Sequence, residues 1–476
     1  MSSERIQAQA LPFTVKSSKN LSLSGWTFLT LALYGLLALL NQLPDPLIPF
    51  LLAVSWGLLL LPLFVHRPLD WFAPPIFLLW WDVKTFFRPI TWLTQGEIDV
   101  NLPTTLDENL SLLRWVLLAH IGASATYLMA FYGHRQAEWA RRASRHLDLR
   151  QLDDWQSSRL MFLFSLAFPI AVASYFFILY AAGIDSIWEM LSRWRSKQEL
   201  LAGKFYPLTI INLFALIVLM LLVHGWRKRS PYFKNFGLLC LIVYSAAIAM
   251  FGLRGHIVRI WITALGLYHY LVRRISLGAM LLTLMMIFLF AFISFQIRYA
   301  AFKGDISEGK LPTITVTMES VLQLIEMDLS TRGLDNQLIA FYVFPQYIPF
   351  QWGRSWLALV TLPIPRTIWQ DKPVLTPGGL VRDQFYGGGG SLPLGYMGDL
   401  YANFSVFGII LGYWILGLYH RILYEWRRLH WDNLSVNFLY VVLLINFTTL
   451  EPLSFIHAAM YCLPAILLVK FVGTKL

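Results

Sequence analysis

The sequence predicts an all-α, polytopic membrane protein with about twelve spanning helices. Three observations carry that expectation. Of the 476 residues, 57% are hydrophobic and 14% charged, whereas soluble domains carry roughly a quarter charged residues. Apolar runs of spanning length recur along the whole chain. Lys and Arg gather in alternate connections between those runs, the bias that orients membrane proteins. A mean hydropathy of +0.57 agrees.

Taken in order, the runs start near Gly25, Pro46, Leu110, Leu160, Pro207, Phe236, His256, Leu277, Leu400, Leu434 and Ser454. The weaker stretch Trp71–Phe87 contains Pro74, Pro75, Asp82 and Lys84. It can span or re-enter from one face; counting it as a span gives the total of about twelve, and leaving it out gives about eleven. The N-terminus up to Asn20 is polar, and no small-residue cleavage site follows the first run, so that run is expected to stay as a helix.

With the N-terminus inside, the inner connections hold Arg67, then Arg135, Arg141, Arg142, Arg145 and Arg150. Arg227, Lys228, Arg229 and Lys234 follow, then Arg273 and Arg274, then Arg421, Arg427 and Arg428. This agreement needs Trp71–Phe87 to span, and it places both termini in the cytoplasm. Arg88 then lies outside, against the trend. The net charge of +11 is thereby a matter of topology and anionic lipid, and nucleic acid is not expected as a partner. Cys240 and Cys462 lie inside apolar runs, so neither a disulfide nor a metal site is expected.

Three outer pieces stand out. Ile184–Tyr206 is short and amphipathic and carries Arg193, Arg195, Lys197 and Lys204. The turn Gly252-Leu253-Arg254-Gly255-His256 holds Arg254 at the membrane surface, and Gly suits the positive φ of a tight turn. The largest piece is an outer loop over residues 298–398, expected to fold back against the membrane face. Its apolar stretches Phe341–Phe350 and Trp356–Leu362 are too short to span. No repeat, linker or soluble domain is visible, so residues 1–476 read as a single membrane domain.

The outer loop contains Trp352-Gly353-Arg354-Ser355, then Pro365-Arg366-Thr367-Ile368-Trp369-Gln370-Asp371-Lys372-Pro373. Thr376-Pro377-Gly378-Gly379 and Gly387 to Gly390 follow, then Ser391 to Phe404 with Gly398-Asp399-Leu400-Tyr401-Ala402-Asn403-Phe404. This order resembles the Wzy-type oligosaccharide-repeat-unit (O-antigen) polymerases. In that family Pro-Arg-x-x-Trp-x-x-Lys-Pro precedes a Gly-rich stretch and a Gly-x-x-Tyr-x-Asn-Phe-like opening of a late helix. The resemblance is sharp over Trp352 to Gly412 and architectural elsewhere. Ser405 departs from it, since the family often has Gly after Asn-Phe.

The resemblance implies a GT-C-like fold in a bacterial cytoplasmic membrane. It implies a substrate, glycan carried on undecaprenyl diphosphate, and a reaction at the outer (periplasmic) face: the growing chain is transferred to the next lipid-linked repeat. A chain-length regulator is a possible partner, and no cofactor is expected. The departing diphosphate calls for preorganised cations. Outer basic residues run against the positive-inside trend, so Arg193, Arg195, Arg254, Arg298, Lys372 and Arg382 are the candidates to bind it, with Arg366 placed in the catalytic group. Asp399 is the first choice for the base that accepts the acceptor's proton, with Glu319, Asp328, Asp335 and His256 as alternatives.

Each candidate also has a purely structural explanation. Arg366 can pair with Asp371, Arg254 can snorkel to headgroups, and Arg193 and Arg195 can belong to an interfacial helix. Asp399 can cap a helix. Gly387 to Gly390 can act as a hinge, Gly408 and Gly412 can make a packing face, and Trp352, Trp356, Trp369 and Tyr396 can be interface anchors. Two rival functions stay open. An O-antigen ligase would be expected to show a His-x-His-Asn-like string, which is absent. A flippase would be expected to show paired halves, and no such symmetry is visible.

Overall fold

The computed structural model describes residues 19–66, 69–82, 87–100, 102–147, 152–186, 189–190, 205–303, 333–361, 364, 368–369, 372–387 and 392–474. Among them, nine helices are long and apolar enough to cross a membrane, so the chain is a helical, multi-pass membrane protein. Many of their large apolar side chains point outward: Phe28 is 75% and Tyr180 86% exposed. Such surface suits hydrocarbon, not water. The chain forms two compact units, Met1–Ala125 and Thr126–Leu476.

The first unit contains α1 (Lys19–Leu40), α2 (Leu47–Val65), α3 (Pro74–Asp82), α4 (Phe87–Gln95) and the start of α5 (Leu106–Tyr132). α1 and α2 approach closely because Gly57 has no side chain; a Cβ there would stand 2.6 Å from Thr30 Oγ1. Trp26 Nε1 donates to the Gly57 carbonyl at 2.5 Å. α5 opens with a capping box: Glu108 Oε2 accepts from the Thr105 N–H at 2.8 Å, and Thr105 Oγ1 accepts from the Glu108 N–H at 3.4 Å. In the stretch Trp71–Phe87, the described residues form α3 over Pro74–Asp82 and the start of α4 at Phe87, and residues 83–86 between them lie outside the described residues.

The second unit contains α6 (His134–Arg145), β1 (Asp154–Trp155), α7 (Ser157–Ala181), α8 (Phe205–Arg227), α9 (Pro231–Met250), α10 (Arg254–Leu271) and α11 (Leu277–Lys303). Three short helices follow, α12 (Leu334–Val343), α13 (Arg354–Thr361) and α14 (Pro377–Phe385). The long α15 (Gly395–Leu429), then α16 (Leu434–Asn446), α17 (Pro452–His457), a π-turn over Ala458–Cys462, α18 (Leu463–Val472) and β2 (Gly473–Thr474) complete it. α7, α8 and α9 pack in sequence, α10 packs on α16, and α6 packs on α15.

Two helices at expected spans are not among these nine. α16 has 13 residues and is buried on every side except at Leu443. A helix apolar all round is buried in a protein core or in a membrane bundle, and this one is about 20 Å long. α10 has 18 residues but begins with Arg254, His256 and Arg259, and it falls outside the nine apolar helices. The expected outer loop also starts late. α11 continues through Arg298 to Lys303 because no Pro or Gly interrupts it before Gly304. At the other boundary α15 already begins at Gly395.

One end of this unit is tied by polar contacts between distant segments. β1 pairs antiparallel with β2, Asp154 opposite Thr474. Lys228 pairs with Asp154 at 2.9 Å and Arg227 with Asp153 at 3.6 Å. The indole of the buried Trp155 donates to Ser435 Oγ at 2.9 Å. Nearby on α15, the buried Glu425 meets Arg421 at 2.6 Å, Arg428 at 3.4 Å and Arg141 of α6 at 3.7 Å.

Candidate functional site

The opposite end of α15 is broken. Phe404 has φ −137° and ψ 16°, and Ser405 has φ 60° and ψ −161°. The Ser405 conformation is one that glycine adopts freely and other residues adopt under strain. This is the position at which the resembled family often has Gly. The break folds the first segment back along the second. Tyr396 Oη donates to the Gly412 carbonyl at 3.0 Å. A Cβ on Gly412 would meet Leu400 at 2.5 Å, and one on Gly408 would meet Phe404 Cβ at 2.5 Å. The two glycines do form a packing face, but its partner is the start of their own helix.

A broken helix leaves carbonyls without intrahelical donors. Here the N–H groups of Gln351 and Trp352 donate to Ala402 and Asn403, each at 2.9 Å. The hydroxyl of Ser355 donates to Asn403 Oδ1 at 3.0 Å, and Asn403 Nδ2 donates to the Asp399 carbonyl at 2.8 Å. Gly353 has φ 82°, and a Cβ there would stand 3.2 Å from the Phe404 ring. The string Trp352-Gly353-Arg354-Ser355 therefore docks on Asn403-Phe404. Two motifs far apart in sequence form one substructure.

Asp399 sits inside that substructure. It is 7% exposed and belongs to the helix body beyond the N-cap, Leu394, so capping does not account for it. Among the described residues no cation pairs with it, and its charged neighbour is another acid, Glu451. Glu451 precedes α17 and lies 3.4 Å from Ser454 Oγ. Burying a carboxyl beside a second carboxyl is costly, and such pairs concentrate at working sites.

A small, partly open cavity of about 20 Å³ lies among α8, α9, α10, α16 and the π-turn. Its polar lining comes from Asn212, Tyr244, His256, Arg259, Asn446 and Tyr461. Tyr244 Oη donates to Asn212 Oδ1 at 2.9 Å. The guanidinium of Arg259 stands 5.8 Å from the Tyr461 ring centre, and Tyr461 Oη lies 3.5 Å from His256 Nδ1. No acid forms an ion pair with Arg259 among the described residues. Asn446 donates to the Val442 carbonyl at 2.9 Å, while its own buried oxygen meets no donor there. A half-buried cation facing polar groups is suited to an anion. The stretch from Asn446 to Tyr461 thus serves both places, with Glu451 beside Asp399 and Tyr461 beside Arg259.

The other predicted residues divide into three groups. Arg366, Arg193, Arg195, Glu319, Asp328, Gly388 to Gly390 and Ser391 lie outside the described residues, as does the side chain of Arg298 on α11. Arg254 and His256 open α10, after a turn in which Gly252 takes φ 67°. An arginine at a helix N-terminus opposes the helix dipole. Lys372 and Arg382 are not brought to the cavity: Lys372 donates to the Ile364 carbonyl at 3.0 Å, and Arg382 lies in the last turn of α14. Asp335 sits in the first turn of α12, where a carboxylate is favoured by the dipole. Gly378 permits a close passage, since a Cβ there would lie 1.7 Å from the Leu392 carbonyl oxygen. Tyr396 is buried within the fold and is no interface anchor.

The sequence reading missed Arg259, Glu451 and Tyr461. A signal existed for the first two. Glu451 is the one acid after Asp432, in otherwise apolar sequence, and Arg259 falls inside an apolar run. Ionisable residues in such places are functional candidates by default. Among the described residues no three His, Cys, Asp or Glu side chains converge as a metal site. No protein family matches this chain, and no characterised protein or solved structure matches it either.

Proposed function

We propose that this protein is a glycan polymerase of the bacterial cytoplasmic membrane. It joins undecaprenyl-diphosphate-linked repeat units at the outer face, with about twelve membrane passes, a GT-C-like arrangement and both termini inside. The observation that carries this reading is the interlock of the two motifs around Asp399, close to a second carboxyl. In the proposed reaction a hydroxyl of the incoming lipid-linked repeat attacks the anomeric carbon of the growing chain. Asp399 accepts the hydroxyl proton. The bond from the anomeric carbon to the diphosphate oxygen breaks, and undecaprenyl diphosphate leaves. Arg254, Arg259 and His256 would face its negative charge, together with Arg366.

The test is complementation of a strain lacking the protein, followed by gel analysis of lipid-linked glycans. Asp399→Asn at normal protein level should give single-repeat products in place of a ladder. An unchanged ladder removes Asp399 from the reaction. Loss of single-repeat products as well would favour a transporter over a polymerase.

A further inference from the structure

We infer that α6 is an interfacial helix whose outward face binds the anionic headgroups of the surrounding bilayer. α6 starts two residues after the end of the spanning helix α5, separated from it by Gly133 alone. Its inner face is fixed to α15. Ala140 and Ser144 are fully buried, Ser144 Oγ donates to the Ile422 carbonyl at 3.0 Å, and Trp426 Nε1 donates to the Leu147 carbonyl at 2.6 Å.

The outward face is of another kind. Arg135, Trp139, Arg142 and His146 follow one another at spacings of four, three and four residues. At 3.6 residues per turn they share one face, within about 60°. Trp139 is 52% exposed. Arg145 flanks this face, and Glu138, the one acid of the helix, lies 3.7 Å from His134.

The comparison with neighbouring cations decides what this face meets. Arg227 and Lys228 pair with Asp153 and Asp154, and Arg421, Arg428 and Arg141 pair with Glu425. Among the described residues Arg135, Arg142 and Arg145 pair with no acid. Unpaired arginines around an exposed indole, immediately beyond a spanning helix, complement phosphate oxygens above and acyl chains below. This assignment is independent of the proposed enzymatic activity.

The test is hydrogen–deuterium exchange of the full chain in lipid nanodiscs, read over residues 134–146. Discs of phosphatidylcholine alone are compared with discs that also contain phosphatidylglycerol. Exchange should slow by about tenfold or more with the anionic lipid. The gain should vanish in high salt and in the triple variant Arg135→Gln, Arg142→Gln, Arg145→Gln, while exchange in α15 stays unchanged as the sign of an intact fold. Equal exchange in both discs would overturn the proposal, as would a gain that survives in the triple variant.

Discussion

The two ends of α15 treat a buried acid in opposite ways. Glu425 is 0% exposed and held by three arginines. Asp399 is almost as buried, has no cation among the described residues, and faces Glu451. Both sit on one helix in one compact unit. A paired buried charge fixes architecture, and removing its partner is destabilising. A buried carboxyl left beside another carboxyl contributes nothing favourable to the fold, so the difference marks Asp399 as the chemical end and Glu425 as the anchor.

This contrast can be broken by experiment. The largest effect is expected at Asp399. Asp399→Asn should slow polymer formation by about 10²–10⁴-fold, the usual contribution of a positioned base, while the melting temperature in detergent stays the same or rises. A large fall in melting temperature would make Asp399 structural as well. Glu425→Ala should do the reverse. It should cost about 3–5 kcal/mol of stability by leaving arginines without their acid, measured by thermal melting. Arg259→Gln should weaken binding of a lipid diphosphate by about ten- to a hundredfold, the loss of one charge-assisted contact, with melting unchanged. The smallest effect is expected at the break. Ser405→Gly should stabilise by about 1 kcal/mol through relief of the positive φ, and a destabilised variant would mean that the serine side chain contributes there.

The sequence shows the fold class plainly because hydropathy over some twenty residues is a strong signal. It does not distinguish a helix bathed in lipid from one enclosed by protein. α16 reads as a span because Leu434 to Asn446 is apolar, yet every residue but Leu443 is buried inside the protein. Trp71–Phe87 reads as a span because the Lys and Arg of the connections fall on one side only if it crosses, and hydropathy alone leaves it weak. In the site, Asp399 is legible because it stands within a motif. Its partner is not, since Glu451 comes 52 residues later, by the difference of their numbers, and only folding joins them. Arg259 and Tyr461 are hidden for the same reason. The docking of Gln351 and Trp352 on Ala402 and Asn403 follows from the break at Ser405, which no helix-period pattern announces.

The π-turn over Ala458–Cys462 has a consequence of its own. A wide turn accommodates one more residue than a regular one, and each residue advances a helix by about 100°. Excising Ala459 would let the segment close as a regular helix, so Val469 and Val472 would keep the rotational phase that places them in the core. Side chains inside the turn, Tyr461 among them, would be re-aimed instead. A single codon therefore decides where this ring stands against Arg259 while leaving the helix beyond it in register.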